Sequence, residues 1–60
     1  MPTNKDTIRM HLEQYLRDIL PNTYKPDWFD VLAFCDGYYG EITLDMVLVV
    51  REFQRDGRVR

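Results

Sequence analysis

The feature that most constrains the fold is a run of four aliphatic residues at positions 47–50, in a chain of only 60 residues. A chain this short buries only about 60% of the surface that its unfolded form exposes, so its apolar residues must be used efficiently. The core-facing stripe of one helix would use only some of these four side chains. The run therefore predicts either a helix with a second apolar stripe or a strand that needs a partner.

The chain lacks the covalent and metal links that stabilise many small domains. Its single cysteine, Cys35, cannot close an intramolecular disulfide, and no Cys/His spacing resembles a zinc site. A hydrophobic content of 45% with 13% aromatic residues still indicates a folded protein. We expect residues 1–60 to form a single domain, stabilised by aromatic packing and helped by self-association.

Charge and segment lengths limit the partners. The net charge of −2 gives no general attraction to nucleic acid or anionic lipid. The longest apolar run is far below the ~20 residues that span a bilayer, and the N-terminal sequence is polar. With a lone thiol, these features predict a cytoplasmic protein with no membrane partner.

The first predicted helix covers residues 4–20. Apolar side chains recur there at the period of one helix face, at Ile8, Leu12, Tyr15, Leu16 and Ile19. Thr3 or Asn4 can cap its first amides, and Pro21 ends it because the residue before a proline disfavours helical geometry.

The second predicted helix covers residues 26–36. Pro26 suits its first turn, and Gly37 is the expected stop. Its core-facing stripe, at the spacing i, i+3, i+4 and i+7, consists of Trp28, Val31, Leu32 and Cys35.

The third element contains the aliphatic run and has two interpretations. As a helix over residues 43–56, it has Thr43 as N-cap and Gly57 as stop, with one stripe of Met46, Val49, Val50 and Phe53 and a second of Leu44, Val47 and Leu48. As an edge strand over residues 42–50, it would pair between protomers in an α+β fold. The helix is favoured because no other segment of useful length resembles a partner strand. We therefore predict a compact all-α domain of three helices.

Few residues could perform catalysis. The chain has no serine, and a Cys35–His11 pair is the only candidate nucleophile and base. Cys35 lies on a core-facing stripe, while His11 lies off the apolar stripe and is expected on the surface. Asp27 and Asp30 are better explained as partners of a helix dipole than as metal ligands. We expect no enzyme activity, no cofactor and no metal.

Residues 34–45, FCDGYYGEITLD, resemble the loop of an EF-hand, with Gly40 at the central turn and Ile42 at the hydrophobic position. The resemblance puts residues without a side-chain carboxylate at the ligand positions, which are Cys35, Gly37, Tyr39 and Met46. It therefore predicts no calcium binding.

A helix-turn-helix that binds DNA is an alternative. Ala33 and Gly37 have the spacing of that motif's first helix and turn, and the phosphate contacts would be Arg51, Arg55, Arg58 and Arg60. The leading end of the recognition helix is apolar and acidic, however, and Asp45 would repel phosphate.

Protein binding is the favoured function. Tyr38 and Tyr39 are expected on an exposed turn between two glycines, where aromatic rings can anchor a partner. The other expected contacts lie along the third helix, at Leu44, Val47, Leu48, Arg51 and Arg55. The partner would be another protein or a second copy in a homodimer. We expect an adaptor, a regulatory subunit or an inhibitor, of the kind that phages and mobile elements often encode.

Overall fold

The computed structural model describes residues 4–19 and 25–60. Its elements are α1 (Lys5–Gln14), a π-helical segment (Tyr15–Ile19) that continues α1, α2 (Trp28–Tyr39) and α3 (Leu44–Arg55). The prediction of an all-α three-helix domain is confirmed. The edge-strand alternative for residues 42–50 is wrong, because helix α3 covers that stretch from Leu44 onward. Thr3, the helix end at Leu20 and Pro21, and the predicted core position of the Ile19 side chain lie outside the described part.

A side chain caps the start of each helix. The capping oxygens accept hydrogen bonds from amides three residues on, at 2.9 Å for Asn4, 2.9 Å for Asp27 and 3.4 Å for Thr43. The caps predicted at Asn4 and Thr43 are confirmed. The predicted placement of Pro26 in the first turn of α2 is wrong. The carboxylate of Asp27 caps the helix, and α2 begins with the next residue, Trp28.

Helix α2 ends later than predicted. Gly37 lies inside the helix, and Gly40 ends it with a left-handed backbone φ of 82°. Tyr38 and Tyr39 therefore belong to the last helical turn, and the predicted tyrosine turn between two glycines is wrong. Either glycine can end a helix. The rings of Tyr38 and Tyr39 contact His11 of α1, and these contacts favour the longer helix that ends at Gly40. The predicted stop of α3 at Gly57 is confirmed, with a φ of 80°.

Helix α3 is the centre of the core. It contacts α1 and α2 more extensively than those two helices contact each other. The buried apolar side chains are Ile8, Leu12, Val31, Cys35, Met46, Val49, Val50, Phe53 and Val59. The predicted core stripe of α3 is entirely among them. Trp28, which is also a predicted core residue, is 51% exposed, although Pro26 just before it is buried, because its side chain lies at the edge of an open groove between α2 and α3.

The segment after α3 folds back onto the start of α2. Val59 is buried, and the neighbouring Arg60 forms two backbone hydrogen bonds around the start of α2. Its amide donates to the carbonyl of Pro26, which precedes the helix, at 2.9 Å, and its carbonyl accepts from the Trp28 amide at 3.2 Å. The Gln54 side chain donates to the same Arg60 carbonyl at 2.8 Å. These bonds connect the end of α3 to the beginning of α2.

The two glycines of α2 should respond in opposite ways to alanine. Gly37→Ala should raise the free energy of unfolding by about 0.5–1 kcal/mol, because alanine is the better helix residue and a Cβ there meets nothing within 4 Å. Gly40→Ala should lower it by about 1–2 kcal/mol, because of the left-handed backbone. Urea denaturation followed by circular dichroism measures both. Equal effects would contradict a helix that ends at Gly40.

Two valines provide a matched test of the C-terminal segment. Val59→Ala should lower the free energy of unfolding by about 1–3 kcal/mol, since it removes two buried methyl groups. Val47→Ala, at a half-buried position on α3, should cost less than about 1 kcal/mol. Thermal and urea unfolding of both variants would check the order. A loss at Val59 no larger than that at Val47 would mean that the segment does not dock as described.

Candidate functional site

An open groove of about 300 Å³ runs between α2 and α3. We call it the α2–α3 groove, and its lining residues are Trp28, Leu32, Val47, Val50, Arg51 and Gln54. Val50 is buried and forms its floor, and Leu32 is half-buried. The half-exposed indole of Trp28 lies beside Gln54 at the end near the C-terminal segment. The groove is therefore an apolar trough with an aromatic ring at one end.

The second apolar stripe of α3 lies on the surface beside this groove. Leu44 is 72% exposed, while Val47 and Leu48 are half-buried. The spacing of these residues, i, i+3 and i+4, places them on one helix face. Because Val47 also lines the groove, the stripe and the groove form one continuous surface. The core is completed by the opposite face of α3.

Cationic side chains follow the apolar stripe along α3. A second hollow, of about 260 Å³, is lined by Lys5, Leu48, Arg51, Glu52 and Arg55. Arg51, which lines both hollows, and Arg55 are exposed, and within the described part of the chain neither forms an ion pair. The C-terminal half of this surface is therefore positively charged.

Glu52 does not cancel that charge, because Arg9 already holds its carboxylate. The two side chains form a pair of hydrogen bonds, at 2.8 Å and 3.0 Å. The hydrogen bonds from Arg9 hold the pKa of Glu52 below its usual value, so the carboxylate stays ionised and paired. Arg9 is the direct partner of Glu52, although it also pairs with Asp6 at 2.6 Å. Lys5 and Arg55 contribute to the same lowering of the Glu52 pKa.

Tyr38 and Tyr39 lie away from the groove, in a cluster of rings between α1 and α2. A hydrogen bond joins the Tyr39 hydroxyl to His11 Nδ1, and the Tyr38 ring lies 5.0 Å from the His11 ring. Phe34 stacks on Tyr15 at 4.1 Å between ring centres. His11 is thus half-buried and bonded, and its predicted place on the open surface is wrong. Neither tyrosine lines the α2–α3 groove or the hollow around Leu48.

The side chains considered for catalysis or metal binding have structural roles in the fold. The Cys35 thiol is buried, and burial raises its pKa to about 11. The Asp27 carboxylate accepts from the Asp30 amide as a helix cap. Among the described residues, no group of three or more His, Cys, Asp or Glu side chains could hold a metal ion.

The stretch that resembles an EF-hand loop is largely helical. Cys35, Gly37 and Tyr39, which would occupy ligand positions, all lie within α2. A helix cannot wrap these positions around one ion, which agrees with their lack of carboxylates.

The described helices include none that is both long and apolar enough to cross a membrane. Comparison with protein families, with curated proteins and with solved structures finds nothing that matches this chain. The function must therefore be argued from the surface itself.

Sequence reasoning missed the α2 side of the groove. The sequence predicts both Trp28 and Leu32 in the core. Leu32 does pack against the core but is only half-buried, and Trp28 is half-exposed. Their i, i+4 spacing resembles that of a core stripe. The one available signal was the position of Trp28 directly after Pro26 and Asp27, where a helix is only beginning.

The Cys35 thiol should be unreactive in the folded protein. A disulfide reagent such as DTNB reacts with the thiolate. At pH 8 the raised pKa keeps Cys35 protonated, and burial keeps the reagent away from its sulfur. We expect labelling to follow the unfolding curve through a urea series, with the free thiol of glutathione as control. Fast labelling without denaturant would contradict the described packing of Cys35.

Proposed function

We propose that this chain is a small non-enzymatic interaction module that binds another protein through the α2–α3 groove and the exposed stripe of α3. The observation that carries the proposal is the exposure of Leu44, at 72%, next to the apolar wall of the groove. An isolated exposed leucine needs no explanation, but one continuous with Val47 and a groove extends an apolar patch.

The core does not need this face of α3. Buried apolar side chains from all three helices and from the C-terminal segment already form one cluster on the other side. No buried side-chain nitrogen or oxygen of the described residues lacks a hydrogen-bond partner. The exposed stripe is therefore better explained by binding than by folding.

Trp28 supports the same function from α2. Tryptophan is favoured at binding hot spots because it contributes a large, stiff apolar ring with one polar tip. Its indole is half-exposed at one end of the groove, and the Phe29 ring lies edge-on to it at 5.9 Å. A ligand in the groove could cover the indole without any rearrangement of the helices.

The proposed roles of adaptor, regulatory subunit or inhibitor all require only such a surface. The cytoplasmic setting remains a prediction from the sequence.

Tyr38 extends the proposed contacts to a second face of the protein, where its ring is 58% exposed. Tyr39 packs edge-on against the Tyr38 ring and mainly orients it.

DNA binding has weaker support. Arg58 pairs with Glu13 at 3.1 Å and lies over the Phe53 ring at 4.8 Å, so it is engaged within the domain. The leading end of α3, which would enter the major groove, carries the exposed Leu44 instead of a polar side chain. The alternative remains a prediction that rests mainly on Arg51 and Arg55.

Photo-crosslinking tests the proposed surface. A photoreactive amino acid at Leu44 should capture a discrete partner protein in the cells that express the chain, and the same group at Ala33, an exposed position of α2 outside the groove, should not. Val47→Glu should abolish capture from Leu44, because it puts a charge into the apolar wall. Circular dichroism should stay nearly unchanged, as it should for the control Ala33→Glu.

Two outcomes would contradict the proposal. Equal capture from Leu44 and Ala33 would mean that the groove is not a preferred contact. Loss of helical structure in Val47→Glu, with a normal Ala33→Glu, would mean that the second stripe belongs to the core. Light scattering at two concentrations separates a partner protein from a second copy of the chain.

A further inference from the structure

We propose that the occupant of the α2–α3 groove is an acidic amphipathic helix of another protein. The inference rests on the proposed function and adds the chemistry of the partner. It depends on three properties of the surface, which are its shape, the order of its apolar and charged residues, and its poor fit to a second copy.

The shape of the surface fits a helix. Residues 40–43 connect the end of α2 to the start of α3, and Trp28 at the start of α2 lines the groove together with Gln54 near the end of α3. The two helices therefore run in roughly opposite directions, and a third helix can lie along the trough between them. From Leu44 to Arg55 the exposed face of α3 extends about 16 Å, or roughly three helical turns. A peptide that adds as a β-strand would instead require the free edge of a sheet, and the described residues form no strand.

The order of residues along α3 specifies the ligand's chemistry. Leu44, Val47 and Leu48 supply apolar contacts at the N-terminal end, and Arg51 and Arg55 supply positive charge one and two turns further on. A complementary helix that lies parallel to α3 carries apolar residues at i, i+3 and i+4, and carboxylates at i+7 and i+11.

Local charge favours an acidic ligand although the whole chain is acidic, with a net charge of −2. Arg51 lines the groove itself, and Lys5 and Arg55 lie with it around Leu48 in the neighbouring hollow, whose only lining carboxylate belongs to Glu52. Arg9 holds this carboxylate with two hydrogen bonds, at 2.8 Å and 3.0 Å. Carboxylates of a ligand would therefore meet arginines that have no ion-pair partner among the described residues.

A second copy of the chain fits this surface less well. A two-fold dimer brings the same patch of both molecules together, so a pairing along α3 puts both copies of Arg51 into one interface. Like charges in an interface are repulsive. Of the carboxylates that α3 carries near the stripe, Glu52 is already bonded to Arg9, and Asp45 lies at the opposite end of the helix from Arg55. The charge pattern thus selects a different protein as the partner.

The single tryptophan of the chain reports on the groove directly. Trp28 is 51% exposed and lines the groove, so a bound helix should shift its emission to the blue and protect it from acrylamide. We would titrate the full chain with synthetic helical peptides of about 15 residues that lack tryptophan and carry leucine at i, i+3 and i+4. The peptides differ only at i+7 and i+11, which are both Glu, both Gln or both Lys.

The Glu peptide should bind roughly tenfold more tightly than the Gln peptide, as two exposed ion pairs allow, and the Lys peptide should bind most weakly. Added salt should reduce the advantage of Glu over Gln. In the double variant Arg51→Glu, Arg55→Glu, the order should reverse, so that the Lys peptide binds best. The double variant Arg51→Gln, Arg55→Gln should bind all three peptides about equally.

The unfavourable outcomes are distinguishable. Equal affinity for the Glu and Gln peptides overturns the acidic specificity and leaves groove binding intact. If the chain is folded by circular dichroism and no peptide changes the emission of Trp28, the proposal of a helical ligand is overturned. Crosslinking from Leu44 then tests the proposed function independently. A dimer in light scattering that Leu44→Glu dissociates assigns the groove to a second copy instead.

Discussion

The whole structure depends on the packing of one face of α3 against both other helices. Met46, Val49, Val50 and Phe53 lie between α1 and α2, which meet each other mainly through aromatic rings. A helix that is shared in this way has its rotation and position fixed from two sides. Its outward face is held equally firmly, although that face makes few contacts of its own. The rigidity of the proposed binding surface therefore derives from the core behind it.

The three helices could be predicted from the sequence because their signals are local. The apolar spacing, the caps at Asn4 and Thr43, and the stop at Gly57 each involve residues within one or two turns. The end of α2 was mispredicted because Gly37 and Gly40 are both locally acceptable stops. The choice between them depends on rings of α1, some 28 residues away in the case of His11 and Tyr39. Such contacts between distant residues are not encoded in any short window of sequence.

The candidate surface was only half predictable for a related reason. The excess of apolar residues over one helix stripe identified Leu44, Val47 and Leu48, because helical periodicity alone shows that α3 has more than its core needs. The opposite wall required the relative placement of α2 and α3, which exposes Trp28 and leaves a trough above Val50. The pairing of Arg9 with Glu52, which makes the region positive, likewise joins residues 43 positions apart.

The return of the C-terminal segment to α2 has a consequence for the groove itself. The Arg60 carbonyl accepts from the Trp28 amide and from the Gln54 side chain, and both of these residues line one end of the groove. Detachment of residues 58–60 would release the two walls at that end together. The geometry of the groove at that end is therefore coupled to the docking of the segment. A ligand that binds the groove in the geometry described would stabilise the docked segment as a direct thermodynamic result of its own binding.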